Sequence, residues 1–317
     1  MVKLLKLKKM NRKLFFGLLV SACMLFVTSC KKDELDESHY GGETKVTFSL
    51  GLEGENVATK SISDGKKADK LIYAVFDENG TRISSIEAVE KTDVTFPTTE
   101  SITLAKGQTY KLAFWAQDND CQAYTVNTET MNVGVSYGNA SNNDETRDAF
   151  FAAETFTVGY DQTIYVNMKR PFAQLNVGAT PEAWNKAVAL GVVISDSKVV
   201  IDGVATSINL LTGEVSGSQA VEYGFATIPA QLNEDLIVST GTYKWLSMSY
   251  ILVNAQILVS MDLTLRPESG KAYSFELNNI PVQRNYRTNL LGNLLTNDIT
   301  FNIEIVPDYD GDGNHTL

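Results

Sequence analysis

Apolar and polar residues alternate along most of the chain, beginning at residue 44. In the segment TKVTFSLGL, residues 44–52, every second residue is apolar. Successive side chains of a β-strand point to opposite faces, so this alternation predicts a strand with one buried face. That face consists of Val46, Phe48, Leu50 and Leu52. The same rule predicts strands over residues 70–77, 81–89, 109–117 and 163–168, with a tight hairpin at the sequence DENG, residues 77–80.

The second half of the chain shows the same alternation and few helical segments. Strands are predicted over residues 190–197, 222–230, 243–253, 255–265, 271–280 and 299–307. One helix is predicted over residues 143–154, with Asn143 or Asp144 as its cap. Another is predicted after Thr180, the N-cap, with Pro181 in its first turn.

Short strands with little helix are typical of an all-β fold. Pro171 interrupts the strand pattern near the middle of the chain and marks a candidate domain boundary. The sequence therefore predicts two consecutive β-sandwich domains with a few short helices, over residues 44–170 and 171–317. No internal repeat of fixed period is visible.

Residues 1–29 have the layout of a signal peptide. Six basic residues precede an apolar run over residues 14–28, which is shorter than the roughly 20 residues that a bilayer-spanning helix requires. The sequence VTSC, residues 27–30, resembles the lipobox of bacterial lipoproteins, in which the cysteine becomes the acylated first residue. This resemblance implies that Cys30 carries acyl chains, whose buried methylene groups would anchor the protein in the outer membrane.

Residues 30–43 are predicted to form an acidic tether. The sequence KKDELDE, residues 31–37, resembles the signal that directs some lipoproteins to the outer face of the outer membrane. It can equally be a solvated spacer, because runs of charge usually stay in water.

Charge and histidine content narrow the classes of function. The formal net charge is −11, and removal of the first 29 residues, which carry six basic and no acidic side chains, makes it −17. Such a surface repels nucleic acid, so no nucleic-acid partner is predicted. The two histidines, His39 and His315, lie near the ends of the chain, and no phosphate-loop, dinucleotide-binding or metalloprotease motif occurs. We therefore do not expect an enzyme, although sequence alone leaves a glycosidase-type carboxylate pair open.

The C-terminal sequence DYDGDGN is a candidate metal site. It places Asp308, Asp310 and Asp312 at alternate positions, as in the first half of a calcium-binding loop. Such a loop needs a bidentate carboxylate at its twelfth position, and the sequence stops at the tenth. We expect weak calcium binding at most, and no other cofactor.

Five segments spread over most of the chain carry a family resemblance: ATKSISDG (58–65), KLIYAVFDENG (70–80), MKRPFAQLNVG (168–178), YKWLSMSYILV (243–253) and VQRNYRTNLLGNLLT (282–296). Together they resemble the fimbrillin-like lipoproteins, also called type V pilins. The resemblance implies two transthyretin-like β-sandwich domains and a surface-exposed lipoprotein that assembles into an adhesive fimbria as a shaft, tip or accessory subunit. The implied partners are other fimbrial subunits, outer-membrane lipid through Cys30 and a maturation protease.

The family also implies a mechanism of assembly. A surface protease removes an N-terminal strand, and a strand of the next subunit fills the vacated groove by β-strand addition. In this sequence the removable strand would be residues 44–52, with Val46, Phe48 and Leu50 on its buried face.

The predicted cleavage site departs from the family pattern. The family protease usually cuts after arginine, whereas the polar loop that follows residue 52 has Lys60 before Ser61. A lysine-tolerant protease would cut there, or the cut would lie elsewhere, at Arg82 or Arg147. A third alternative is that the strand is retained, as would suit a terminal subunit.

The sequence ITFNIEIVP, residues 299–307, is the candidate donor strand. Its alternating apolar residues are Ile299, Phe301, Ile303 and Ile305. The same alternation would suit an ordinary core strand, so both interpretations stay open.

A different function also stays open, that of a surface lipoprotein that binds glycans or host proteins without polymerising. Trp115, Trp184 and Trp245 could stack against sugar rings or could fill the core.

Overall fold

The computed structural model describes residues 41–53, 64–295, 301–307 and 315–316. Nearly all regular structure in these residues is β. The strands are β1 (Glu43–Leu52), β2 (Lys70–Asp77), β3 (Val89–Lys91), β4 (Thr98–Ala105), β5 (Thr109–Gln117), β6 (Tyr124–Asn127), β7 (Asn132–Val135), β8 (Ala149–Thr157), β9 (Gln162–Met168), β10 (Phe172–Ala179), β11 (Ile194–Val204), β12 (Ser207–Asn209), β13 (Val215–Ser216), β14 (Gln219–Thr227), β15 (Asp235–Val238), β16 (Gly241–Leu252), β17 (Ile257–Pro267), β18 (Tyr273–Val282), β19 (Tyr286–Gly292), β20 (Phe301–Pro307) and β21 (His315–Thr316). The predicted all-β fold is confirmed.

The strands form five sheets. Their orders are β4-β1-β9, β3-β2-β5-β8, β13-β12-β7-β6, β14-β11-β17-β18 and β15-β16-β10-β19-β20-β21. Pairing is antiparallel except between β1 and β9 and between β10 and β19, which run parallel. Each parallel pair joins strands that are far apart in sequence, so both sheets depend on long-range contacts.

A first hydrophobic core lies between the sheets β4-β1-β9 and β3-β2-β5-β8. Val46, Phe48 and Leu50 of β1 are fully buried in it. Phe48 contacts Phe114 of β5, with ring centroids 5.5 Å apart. Two sheets that bury their facing apolar side chains against each other form a β-sandwich.

A second hydrophobic core includes buried residues of the other three sheets and the opposite face of β2 and β5. Along β2, Leu71, Tyr73 and Val75 belong to the first core. Ile72 and Ala74 point the other way and belong to the second core. The strand predicted at residues 70–77 is therefore confirmed, but it is buried on both faces and not on one, which agrees with the continuous apolar run over residues 71–76. The second core thus takes side chains from both sides of the predicted boundary at residue 171, and the two-domain division stays a prediction.

Helices are few and short. The α-helix α1 spans Pro181–Ala189, and the side chain of its N-cap, Thr180, accepts a hydrogen bond from the amide of Ala183 at 3.2 Å. Short 3-10 helices span Glu145–Arg147 and Pro229–Leu232. The predicted helix after Thr180 is therefore confirmed, with its cap.

The helix predicted over residues 143–154 is wrong. Asp144 caps only the short 3-10 helix, and the chain then continues into β8, which pairs with β5 over its whole length. Phe150 of β8 is fully buried in the first core. The pairing with β5 and the burial of this face decide the structure, because tertiary context overrides a weak helical preference.

The strand predicted over residues 81–89 is also wrong over most of its length. The turn after β2 forms as predicted, since the side chain of Asp77 accepts hydrogen bonds from the amides of Asn79 and Thr81. Beyond it there is one isolated bridge, from Phe76 to Arg82, and β3 begins only at Val89.

Candidate functional site

Strand β1 is the first described strand of the chain, yet it lies in the middle of its sheet. It pairs antiparallel with β4 from Glu43 opposite Ala105 to Leu50 opposite Thr98. On its other side it pairs parallel with β9 from Val46 opposite Gln162 to Leu52 opposite Met168. Both rows of backbone hydrogen bonds would be lost if β1 left, so β4 and β9 would each present unpaired groups to a vacant groove.

The buried face of β1 is the one that its sequence predicts. Val46, Phe48 and Leu50 have no solvent exposure, and Leu52 is nearly as buried. The ring of Phe48 also meets Phe156 of β8 edge-on, with centroids 5.4 Å apart. Burial of an apolar side chain of this size contributes about 1.5–3 kcal/mol. These side chains therefore hold β1 in place chiefly by the hydrophobic effect.

The N-terminal end of β1 is tied to the turn before β9. The hydroxyl of Thr44 donates a hydrogen bond to the carboxylate of Asp161. This bond, with a further one from the amide of Lys45, lowers the pKa of Asp161 below its ordinary value, and burial opposes the shift only in part.

The C-terminal end of β1 is tied down by buried charged groups. Arg170 has no solvent exposure, and its guanidinium makes two hydrogen bonds to Asp148, at 2.6 and 2.8 Å. Its third nitrogen, Nη1, donates to the backbone carbonyl of Glu53 at 3.0 Å. The guanidinium also stacks on Phe150, 4.4 Å from the ring centroid. Glu53 follows β1 directly and continues its pairing with β9 through a hydrogen bond from its amide to the carbonyl of Met168, at 2.9 Å.

Two more residues complete this group, which we call the Arg170 cluster: Asp148, Arg170, Glu53, Asn285 and Lys169. The side-chain amide of Asn285 donates to Oε2 of Glu53 at 3.1 Å and accepts from the amide of Arg170 at 3.1 Å. The ammonium of Lys169 lies 3.7 Å from Oε2 of Glu53. The cluster therefore joins the end of β1, the start of β8, the link from β9 to β10 and the turn from β18 to β19.

The alternative cleavage sites at Arg82 and Arg147 are both held by the fold. Arg82 donates hydrogen bonds to the carbonyls of Val75 and Ile86, at 3.0 and 2.6 Å. Arg147 is buried, and it donates to the carbonyl of Ser136 at 3.1 Å. A protease needs an accessible and locally extensible segment, so the burial of Arg147 and the hydrogen bonds of both arginines oppose cleavage in the folded protein. Lys60 and Ser61, like Cys30, lie outside the described residues.

The candidate donor strand occupies a place in the six-stranded sheet. Strand β20 pairs antiparallel with β19 over its full length, from Phe301 opposite Gly292 to Pro307 opposite Tyr286. Ile305 is 9% exposed and Ile303 is partly buried. Ile299 and the side chain of Phe301 lie outside the described residues. In this structure the strand is therefore paired within its own chain, and its donor role stays a prediction.

The structure describes the three tryptophans proposed for sugar stacking, but not the predicted calcium site. Trp115 has no exposure and Trp245 is 7% exposed, so neither presents a ring face for a sugar to stack on. Trp184 is partly buried and packs against the second core. Asp308, Asp310 and Asp312 lie outside the described residues, so the calcium prediction stays untested. Within the described ranges, no three or more His, Cys, Asp or Glu side chains are grouped to hold a metal ion.

The sequence alone does not predict the Arg170 cluster. Its members are separated by up to 232 positions, and the carboxylates of Glu53 and Asp148 look like any others in an acidic chain. The one local signal is Arg170 itself, a charged residue between the strand predicted at 163–168 and the apolar run that follows Pro171. Charged residues that interrupt core strands are buried only when they are paired, so this position pointed to a partner without identifying it.

No helix within the described part of the chain is long and apolar enough to cross a membrane, since α1 has nine residues. This observation concerns only those residues.

Comparison with solved structures finds proteins of similar structure, and the one with a TM-score above 0.5 shares the fold of this chain. A candidate polysaccharide-binding protein from Bacteroides thetaiotaomicron matches with a TM-score of 0.51 at 13% identity, covering 83% of this chain and 95% of its own. The tip fimbrial protein Mfa3 from Porphyromonas gingivalis, with a C-terminal truncation, matches with a TM-score of 0.48 at 12% identity, covering 84% of this chain and 100% of its own. A candidate cell-adhesion protein from Bacteroides ovatus matches with a TM-score of 0.47 at 16% identity, and the match covers 84% of this chain and 98% of that protein. A fimbrial protein and a candidate adhesin are among these structural neighbours.

At the level of sequence, no curated protein matches this chain significantly. One family model matches residues 37–317, which leaves out only the predicted signal peptide and the first half of the predicted tether. The chain therefore belongs to the family of unknown function DUF6562.

Proposed function

We propose that this chain is a structural subunit of a cell-surface fimbria. It would be exported as a lipoprotein anchored through Cys30, would lose β1 by proteolysis, and would then accept a strand of a neighbouring subunit in its place. The observation that carries the proposal is the position of β1, the first described strand of the chain and the middle strand of its sheet. A terminal strand can be released by a single cut, and a middle strand leaves a groove with two unpaired edges.

The physical consequence of losing β1 is a surface that binds strands strongly. The groove would expose the apolar side chains that now contact Val46, Phe48 and Leu50, together with the unpaired backbone edges of β4 and β9. A strand with alternating apolar residues would restore both the backbone hydrogen bonds and the packing. Cleavage would thereby convert a stable monomer into a subunit that polymerises.

The position of the cut also favours this mechanism. The polar loop with Lys60 and Ser61 follows β1 directly in sequence, so one cut there releases β1 and little else. Arg82 and Arg147 lie downstream, and both make hydrogen bonds within the fold. Cleavage after Lys60 by a lysine-tolerant protease is accordingly the maturation step that we propose.

The test is to recover the protein from the cell surface and to determine its N-terminus by mass spectrometry. We expect one species that begins at an acylated Cys30 and a second that begins at Ser61, and only the second should form ladders of oligomers that survive denaturant without reductant. The Lys60→Ala variant is the matched control and should give the Cys30 species alone. A surface protein that begins at Ser61 and remains monomeric would overturn the polymerisation step.

A second candidate function is capture of glycans or host proteins without polymerisation. It is favoured by the shared fold with the candidate polysaccharide-binding protein, which shows a TM-score of 0.51. Because Trp115 and Trp245 are buried, such binding would have to use other residues. A glycan array with the uncleaved protein tests it directly, and flat signals throughout would count against it.

A further inference from the structure

The β1 site is the groove between β4 and β9 that β1 fills. At one end of it, three donor residues surround the acidic residue Glu53. Arg170 donates to the backbone carbonyl of Glu53, while Asn285 donates to its carboxylate. Lys169 adds a positive charge 3.7 Å from the same carboxylate oxygen. Any strand could supply the carbonyl, but only an acidic residue supplies the carboxylate. The cluster therefore distinguishes between strands by their side chain at this position.

The charges of the cluster depend on that residue. Arg170 and Lys169 are balanced by Asp148 and Glu53, and Asp148 is already engaged by both hydrogen bonds from Arg170. If β1 left together with Glu53, a positive charge would remain in excess at this end of the groove. Hydrogen bonds to charged groups are stronger than those between neutral groups, so loss of the Glu53 carboxylate removes a favourable interaction with Asn285 and Lys169. A replacement strand with a carboxylate at this position would restore the balance.

We infer that the Arg170 cluster selects the strand that fills the β1 site, and this inference rests on the function proposed above. The strand that fits has apolar residues at four alternate positions and an acidic residue directly after the fourth, as in VTFSLGLE, residues 46–53. The partner is therefore a strand of another subunit with this pattern, rather than β20 of a second copy of this chain.

Strand β20, with the two residues before it, fits the groove at every inward position but not at the position of Glu53. Aligned on β1, ITFNIEIV, residues 299–306, places Phe301 where Phe48 lies and apolar residues at the other three inward positions. The position of Glu53 is then taken by Val306. Val306 would offer no carboxylate to the donors of Asn285 and Lys169. Residues 299–306 of a second copy should therefore bind more weakly at this end of the groove.

Shifting this strand by two residues along the groove does not improve its fit. It would bring Asp308 to the position of Glu53, but it would also bring Pro307 to the position of Leu52. Leu52 is paired with β9 and buried, and proline is poorly tolerated in a middle strand because it has no backbone N–H to donate. The shift also replaces Phe48 by an isoleucine in the pocket formed with Phe114 and Phe156.

The test is a competition for the β1 site in the full-length chain. A specific protease site is introduced into residues 54–63, the chain is nicked there, and exchange of β1 against labelled peptides is followed by fluorescence anisotropy. All four peptides are amidated at the C-terminus, so that only a side chain can supply a carboxylate at the cluster. The first pair is TKVTFSLGLE, residues 44–53, and the same peptide with Glu53→Gln. The second pair is NDITFNIEIV, residues 297–306, and the same peptide with Val306→Glu.

We expect the Glu53→Gln peptide to bind about tenfold more weakly than its parent, and the Val306→Glu peptide about tenfold more tightly than its parent. In the Asn285→Ala protein both differences should shrink, which shows that they arise at the cluster. Equal binding within both pairs would overturn the inference and leave strand exchange intact. If no peptide exchanges with β1, including its own sequence, strand exchange fails and the inference fails with it.

Discussion

Strands β1 and β20 share an alternation of apolar residues, yet they occupy opposite kinds of position. β1 has a long partner on each side and buries three of its apolar side chains completely. Among the described residues, β20 has one long partner, β19, and on its other side the two-residue strand β21. The same alternation of residues is thus compatible with a middle strand that closes a core and with a strand near the edge of a sheet.

In the function that we propose, this difference would give the two strands different roles in assembly. Removal of a middle strand exposes a core on one side and two rows of backbone groups on its edges, so the vacancy binds a replacement strongly. A strand near an edge breaks fewer hydrogen bonds when it leaves. Substitutions in β1 should therefore lower the free energy of unfolding strongly. Substitutions in β20 should lower it less and should leave hydrogen exchange in β1 unchanged.

The largest expected effect is that of Phe48→Ala in β1. Loss of a fully buried aromatic side chain removes its packing and leaves a cavity, so we expect the free energy of unfolding to fall by about 3–5 kcal/mol. Ile303→Ala in β20 is the matched control and should cost less, about 2 kcal/mol, because Ile303 is only partly buried. Urea denaturation measures both. Equal losses would mean that the two strands contribute alike and would remove the contrast between them.

The next effect concerns the end of β1. Asp148→Asn leaves the buried guanidinium of Arg170 without its carboxylate, which should lower the free energy of unfolding by about 3 kcal/mol. Hydrogen exchange should accelerate in β1 and remain unchanged in β20. Lys169→Ala serves as control, since its partly exposed ion pair at 3.7 Å should contribute under about 1 kcal/mol. Faster exchange throughout the protein would show that the cluster supports the whole fold rather than β1.

A third prediction tests β20 by itself. Ile305→Ala removes a buried side chain near the edge of the six-stranded sheet, and we expect a loss of about 2 kcal/mol in the free energy of unfolding. Hydrogen exchange should accelerate in β20 and β19 while β1 stays protected. Acceleration in β1 would show that the two strands are coupled, which contradicts the division proposed above.

The local features of these strands could be predicted from sequence, and their partners could not. Alternation identified the buried face of β1, and Thr180 with Pro181 identified the start of α1. Alternation repeats every two residues in any half-buried strand, so it carries no information about which strands lie on either side. The parallel pairing of β1 with β9 joins residues more than a hundred positions apart and is decided by the packing of the whole core.

The errors have the same origin. Residues 143–154 contain good helix formers, yet Phe150 is held in the first core by the pairing of β8 with β5. Residues 81–88 alternate as a strand does, but they lack a long partner, and the guanidinium of Arg82 binds the carbonyls of Val75 and Ile86 instead. The Arg170 cluster is the extreme case, because its members meet only after all of their strands have paired.

The smallest effect is expected at the start of β1 and depends on pH. The hydrogen bond from Thr44 lowers the pKa of Asp161 in the folded protein below its ordinary value of 3.8. A carboxylate whose pKa is lower in the folded than in the unfolded state stabilises the fold above its unfolded pKa, and that contribution is lost as the pH falls through its folded pKa. Thr44→Val should therefore shift the urea midpoint slightly downward at pH 7, and the shift should fade as the pH falls below about 3.8. Thr47→Val, which removes a hydroxyl bonded to Ser101 at 3.1 Å, should give the same difference at both pH values. A Thr44→Val shift that persists in acid would show that Asp161 does not hold this end of β1.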